Sequence, residues 1–255
     1  MAAVLPNLHR VALRSYLLEA RCECLRMLRD PGFCIPVTAF PLMFYVLFAV
    51  VLNKQHSAAT AQYLLATYGA FGVAGAGLFG FGVTIALDRE RGFLRLKRVL
   101  PTLPGALLLA RMAMAMLFAA LISLLMALLA ALVAGVALAP LQWLALAAVN
   151  VAGVLPFAAI GLYVGTRVSG SAAPALLNGL YLPMSFLSGL WLPLSMLPPL
   201  LAKLAVVWPA YHLGQLALKV VGFDAGQPVW LHLLALAGFT AVLFALAQRR
   251  LAVAE

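Results

Sequence analysis

An all-α, polytopic membrane fold with six transmembrane helices is predicted by three features of the chain. Its composition is 65% apolar with only 9% charged residues, its apolar residues gather in blocks long enough to cross a bilayer, and its basic residues concentrate in alternate connections. Ordinary soluble domains are roughly 45–50% apolar and about 25% charged. The 255-residue sequence is therefore not that of a water-soluble globule, and its mean hydropathy of +1.07 agrees.

At about 1.5 Å per helical residue, a hydrocarbon core of roughly 30 Å takes about 20 apolar residues to cross. Six blocks meet that length, near Phe33–Leu52, Tyr63–Leu87, Gly105–Ala137, Trp143–Thr166, Ala172–Leu192 and Val229–Ala247. The third is long enough to tilt or to end in a surface turn. Little chain is left for a soluble ATPase, protease or nucleic-acid module.

Basic residues stay on the cytoplasmic side of short loops. Arg10, Arg14, Arg21, Arg26 and Arg29 precede the first block, and Arg89, Arg91, Arg95, Lys97 and Arg98 lie between the second and third. Arg167, Arg249 and Arg250 fall on the same side, against Lys54, Lys203 and Lys219 on the other. Both termini are thus expected in the cytoplasm, and the net charge of +10 reports topology rather than nucleic-acid binding. Arg111, near the start of the third block, is expected to reach the interface with its long side chain. The reading is a single transmembrane domain over 1–255, with a cytoplasmic amphipathic segment at 1–32, a six-span region at 33–247 and a cytoplasmic tail at 248–255.

No cleavable signal peptide is expected, because the first apolar run begins about thirty residues in, after five arginines and three acids. Cys22, Cys24 and Cys34 lie on or beside the cytoplasmic face, where thiols stay reduced. A Cys-x-Cys pair on a helix points its thiols apart and no histidine is near, so small apolar packing is favoured over a metal site.

The polar interruptions carry the functional information. Between Arg14 and Asp30, before Pro31-Gly32, residues Leu18, Cys22, Leu25 and Leu28 follow the helical period, as in a helix lying along the membrane surface. Glu19, Glu23 and Arg26 form a charged stripe whose spacing alone favours a solvated face over a docking surface. The second interruption, DRERGFLRLKRVLPTLP from Asp88 to Pro104, packs seven charges into eleven residues around Phe93, Leu94, Leu96, Val99 and Leu100. Being amphipathic and stopped by Pro101 and Pro104, it reads as a short helix parallel to the membrane, a protein-binding element at least as much as an anchor. The third, Pro193–Pro228, consists of proline-cut apolar runs too short to span, which suits re-entrant or interfacial helices on the outer face with Trp208 and Tyr211 at headgroup level. His212, without a partnered carboxylate, is expected to be structural.

Other motifs fail on context. Gly75-Ala-Gly77-Leu-Phe-Gly80 fits a dinucleotide pattern but lies inside an apolar block, where it means close helix packing. Leu187-Ser188-Gly189 begins like an ATPase signature, but Leu190-Trp191 breaks it, and no Gly-Lys dipeptide exists for a phosphate loop. All seven acidic residues (Glu19, Glu23, Asp30, Asp88, Glu90, Asp224 and Glu255) are expected outside the spans, which disfavours an ion-driven carrier. An intramembrane enzyme is equally unsupported, with only Ser188 or His212 as weak candidates, so no catalytic, cofactor or metal residue is assigned. Energy for any transport would arrive from a partner.

The segments EARCECLRMLRDPGF, FPLMFYVLFAVVL, DRERGFLRLKRVLPTLP and SGLWLPLSMLPPLLAKLAVVWPAYHLGQ, in that order, resemble the ABC-2 type membrane permeases of bacterial ABC transporters. The resemblance covers nearly the whole chain. It implies a coupling helix contacting a separate ATP-binding subunit through Asp88, Arg89, Glu90, Arg91, Arg95, Lys97 and Arg98, supported by Glu19, Glu23 and Arg26. It further implies an outer re-entrant element at Pro193–Lys219, two copies of the ATPase subunit, a second permease chain as a homodimer, no cofactor, export across the bacterial inner membrane, and no enzymatic activity in the chain itself. A secondary carrier or channel working without an ATPase is the alternative.

Overall fold

The computed structural model describes residue 18, residues 20–93 and residues 106–253. Among these the secondary structure is helical throughout. Helix α1 (20–28) precedes α2 (Pro31–Tyr45), which continues through a π-helical turn at Val46–Val51. Then come α3 (Ala58–Glu90), α4 (Ala106–Leu132), α5 (Pro140–Gly153), α6 (Leu155–Gly165), α7 (Ala173–Leu187), α8 (Pro199–Leu204), α9 (Pro209–Val221) and α10 (Val229–Val253).

Local chemistry sets these boundaries. The Asp30 carboxylate accepts the Gly32 amide and caps α2, a standard use of Asp before a helix. Ser57 caps α3 by accepting the Thr60 amide. Pro156, at the second position of α6, marks the break from α5, since proline cannot donate the bond that would continue the preceding helix. Gly222, at φ 83°, closes α9 in the left-handed conformation that glycine adopts without strain.

Helix α3 is the axis of the bundle. It has 33 residues, and its middle is buried on all sides by α2, α4, α6, α7 and α9. The glycine motif read as close packing does that work. A Cβ on Gly77 would sit 2.9 Å from both the Ala158 amide nitrogen and the Val154 carbonyl oxygen, and one on Gly161 would collide with the Leu78 carbonyl. Only glycines allow the α3 and α6 backbones this approach, as in small-residue membrane interfaces.

Among the described residues, five helical segments are long and apolar enough to cross a membrane: Pro31–Val51, Ala58–Glu90, Ala110–Leu132, Pro140–Gly165 and Val229–Arg250. The fifth predicted block differs. Its helix stops at Leu187 after 15 residues, about 22 Å at the helical rise, because the chain turns at Gly189 (φ 78°). The proline-rich stretch beyond forms two arms, Pro199–Val207 and Pro209–Val221, bent by 95°. Counted as one span they would bring the total to six, but each arm is too short to cross alone. Tyr211 is buried beside His212 and His232, because α9 packs into the bundle against α3, α5 and α10. One further expectation is corrected. The second span also runs past Leu87, so that Asp88 and Glu90 belong to the last turn of α3.

Candidate functional site

Three helices bring charge together at one end of the bundle. Helix α1 exposes Leu25 and Leu28 and turns Met27 and Glu23 inward, and Leu18 before it is exposed as well. Glu23 therefore does not belong to a solvated stripe, as the spacing suggested. Arg26, one turn on, donates from Nη2 to Asp88 Oδ1 at 2.8 Å and from Nη1 to Asp88 Oδ2 at 3.2 Å. This two-pronged geometry makes arginine–carboxylate pairs strong, and it raises the Arg26 guanidinium above its ordinary range, chiefly through the hydrogen bonds to Asp88.

Arg111 enters the same junction from α4. It is wholly buried, binds Asp88 Oδ2 through Nη2, and lies 3.8 Å from Glu23 Oε1. Its Nη1 also approaches Thr84 Oγ1 at 3.4 Å. The expected reach of Arg111 to the interface is thus replaced by an internal pair. Among the described residues, two carboxylates face two guanidinium groups, and this pairing of opposite charges offsets the desolvation of the buried members. A signal for it was present in the sequence: an arginine inside an apolar block requires a counter-charge, and Asp88 ends the preceding helix.

The described residues among those assigned to the coupling contact divide into two groups. Asp88 is buried in the junction. Arg89 donates to the carbonyls of Thr166 and Val168 (2.7 Å to the latter), which places its charge at the C-terminal end of α6, where the helix dipole favours a cation. Glu90, Arg91 and Phe93 are solvent-accessible at the end of α3. Glu19, Arg95, Lys97 and Arg98 lie outside the described residues. Cys22 is exposed while Cys24 and Cys34 are half-buried, and burial pushes the Cys24 thiol above its usual range, away from the reactive thiolate.

Two cavities flank the helices. One, of about 530 Å³, lies between α2, α3 and α7, with Phe33, Phe40, Phe79, Asn178 and Tyr181 on its walls and Asp30 as its charged lining residue. The other, of about 690 Å³, lies at the opposite end of the bundle, where the α2–α3 loop meets the segment after α7. An aromatic column stands between them. Tyr181 stacks on Phe71 at 4.7 Å, Phe71 meets Trp191 edge-on at 5.6 Å, and Trp191 contacts Phe44 at 5.6 Å. The Tyr181 hydroxyl donates to the Phe71 carbonyl at 2.8 Å, which fixes the column to α3.

Near that second end, His212 of α9 has a partner that the sequence reading missed. Its Nδ1 lies 2.9 Å from Nδ1 of His232 on α10, and its Nε2 lies 3.0 Å from the Val206 carbonyl. Both rings are buried. With Nε2–H donating to Val206, His212 Nδ1 must accept, so His232 Nδ1 carries the hydrogen. Ser188 has no hydrogen-bond partner among the described residues, hence no base beside it. Nor, among those residues, do three His, Cys, Asp or Glu side chains gather as a metal site would require.

The site therefore offers an ion-paired joint, two cavities and an aromatic column between them. Over 224 residues the chain is 26% identical to "Putative transport permease YvfS" of Bacillus subtilis (strain 168), covering 87% of this chain and 90% of that protein. Residues 16–221 match the family described as ABC-2 type transporter. The chain belongs to the ABC-2 type transporter family, as a multi-pass membrane subunit of a transporter.

Proposed function

We propose that this chain is the membrane-spanning half of an ATP-driven exporter, paired with a second copy of itself and with two copies of a separate ATP-binding subunit. Both termini would face the cytoplasm of a bacterial cell, with the Asp88 junction on that side. The observation that carries this reading is the contrast within one helical turn. Glu90 and Arg91 are exposed, while Asp88, two residues before Glu90, is tied to α1 and α4. A force applied by the ATPase at Glu90 and Arg91 therefore moves α1, α3 and α4 together, a rigid-body displacement of packed helices. The cavity between α2, α3 and α7 would then open past the aromatic column toward the other side. Membrane potential or an ion gradient finds less purchase, because the buried carboxylates Glu23 and Asp88 are both engaged with arginines.

The test is charge reversal at both exposed positions, Glu90→Arg with Arg91→Glu, in the chain co-purified with its ATPase partner. Substrate-stimulated ATP hydrolysis should be lost while membrane insertion and thermal stability are retained. Coupled hydrolysis at the parent rate would refute the contact. Uphill transport by vesicles containing this chain alone would refute the whole reading.

A further inference from the structure

The cavity at the end of the bundle opposite Asp88 is not used by the coupling argument, and its lining is chemically uneven. Its apolar side is formed by Phe48 and Leu52 from the end of the first span, Tyr63 from α3, and Trp191, Met196 and Phe223 from the segments around the bent arms. Leu52 is 52% and Met196 72% exposed to the surroundings of the protein. The polar side is the loop 53–57, which contributes Asn53, Lys54, Gln55 and Ser57. Lys54 is the charged residue on the wall, and no carboxylate lines the cavity among the described residues. The first cavity has the opposite bias, with Asp30 in that place.

The polar side is built, not merely present. Asn53 holds the loop with three hydrogen bonds. Its Oδ1 accepts the Ser57 amide at 3.1 Å, and its Nδ2 donates to the carbonyls of Ser57 at 3.0 Å and Ala49 at 3.3 Å. His56 stands at φ 49°, a left-handed conformation uncommon outside glycine and a cost the loop sustains through these bonds. Lys54 is thus carried on a fixed turn. Trp191 adds a buried indole N–H with no acceptor among the described residues, an orphan donor of the kind that buried polar groups ordinarily avoid.

We infer that this cavity is a binding site for an anionic amphiphile, a molecule with a phosphate or carboxylate headgroup at Lys54 and an apolar tail along Phe48, Leu52, Trp191 and Met196. A lone cation among neutral polar groups selects a negative headgroup, and an apolar wall exposed at the protein surface through Leu52 and Met196 admits a tail. The volume of about 690 Å³ lies in the range of sites that hold whole small molecules, roughly 300–1,000 Å³, far beyond the needs of a free anion. The inference goes beyond the proposed function and does not depend on the ATPase partner, because it concerns binding to this chain alone.

The test uses the full chain with Trp143, Trp208 and Trp230 replaced by Phe, so that Trp191 is the sole tryptophan and is excited selectively, in phosphatidylcholine vesicles. These vesicles contain equal fractions of either chain-brominated phosphatidylglycerol or chain-brominated phosphatidylcholine. Quenching should show a preference for phosphatidylglycerol of roughly fivefold, the attraction of one lysine for an anionic headgroup. Lys54→Gln should remove that preference and Lys54→Arg should keep it. Equal quenching by the two lipids, or no quenching because a protein surface covers the cavity, would overturn the proposal. So would a preference that survives Lys54→Gln. Abolition of the preference by millimolar inorganic phosphate, but not by chloride at the same ionic strength, would identify a free-anion site and overturn it equally.

Discussion

The two ends of this bundle bury polar side chains in opposite ways. At the Asp88 end, full charges meet: Arg111 and Arg26 against Asp88 and Glu23, drawn from three helices. At the other end, His212 and His232 meet as neutral rings sharing one hydrogen between two Nδ1 atoms. A buried charge is tolerated only with its counter-charge, so the first end binds its helices into one unit. A neutral pair needs only complementary tautomers, and it joins α9 to α10 with less at stake. The joint is thus stiff where force would enter, and lighter beneath the bent arms.

The largest effect should come from breaking the charge balance. Arg111→Met leaves Asp88 and Glu23 short of a cation in a buried setting, and should cost about 3–5 kcal/mol, read as a fall in unfolding temperature of the purified protein in detergent. Adding Asp88→Asn removes the anion that Arg111 pairs with most closely. The double variant should recover at least half of the loss, because neighbouring charges are not additive. If the double variant is as unstable as the sum of the singles, charge balance is not what holds this end together.

An intermediate effect is expected at the other end. His232→Leu leaves the accepting nitrogen of His212 without a donor, at a cost of about 1–3 kcal/mol. Replacing both histidines by leucine removes donor and acceptor together and should be nearly neutral, provided that the Val206 carbonyl finds another partner. Thermal unfolding of the parent and the two variants reads this directly. A loss on the scale of Arg111→Met would erase the distinction between the two ends.

The contrast also explains what the sequence revealed. Block length was enough for five of the apolar helices, because membrane crossing imposes a length that needs no tertiary knowledge. The glycines of α3 were legible as packing for the same reason. Arg111 inside an apolar block signalled a counter-charge such as Asp88, but the share of Glu23 and Arg26 in the junction was not legible, since it depends on which face of α1 turns inward. A helical stripe such as Glu19, Glu23 and Arg26 looks the same whether it meets water or a buried arginine. His232 was missed because its neighbour lies twenty residues away in another helix, and the end of α7 because one glycine at Gly189 stops an apolar run that composition alone would continue. Asp88 was grouped with Glu90 on sequence adjacency, although two residues along a helix point in different directions.

The smallest predicted effect lies at the surface of the lighter end. Lys219 pairs with Asp224 at 2.5 Å, and the Gly226 amide donates to the same carboxylate oxygen at 2.9 Å. The hydrogen bond from Lys219 holds the Asp224 carboxyl below its usual value of 3.8, with that backbone amide adding to the effect. A depressed carboxylate contributes stability that is complete well above its unfolded value, and that is lost as pH falls through 3.8 toward the folded value. Both side chains are partly exposed, so Lys219→Met should cost less than about 1 kcal/mol at neutral pH. The difference between parent and variant should narrow as pH drops from about 5 to 3, because protonation removes the charge that Lys219 recognises. Salt should narrow it as well, since exposed pairs are screened, whereas the cost of Arg111→Met, sealed within the bundle, should barely respond to salt. A Lys219→Met penalty indifferent to both pH and salt would show that the lysine acts through packing of its alkyl stem against α9, and would remove Asp224 from the polar framework of this end.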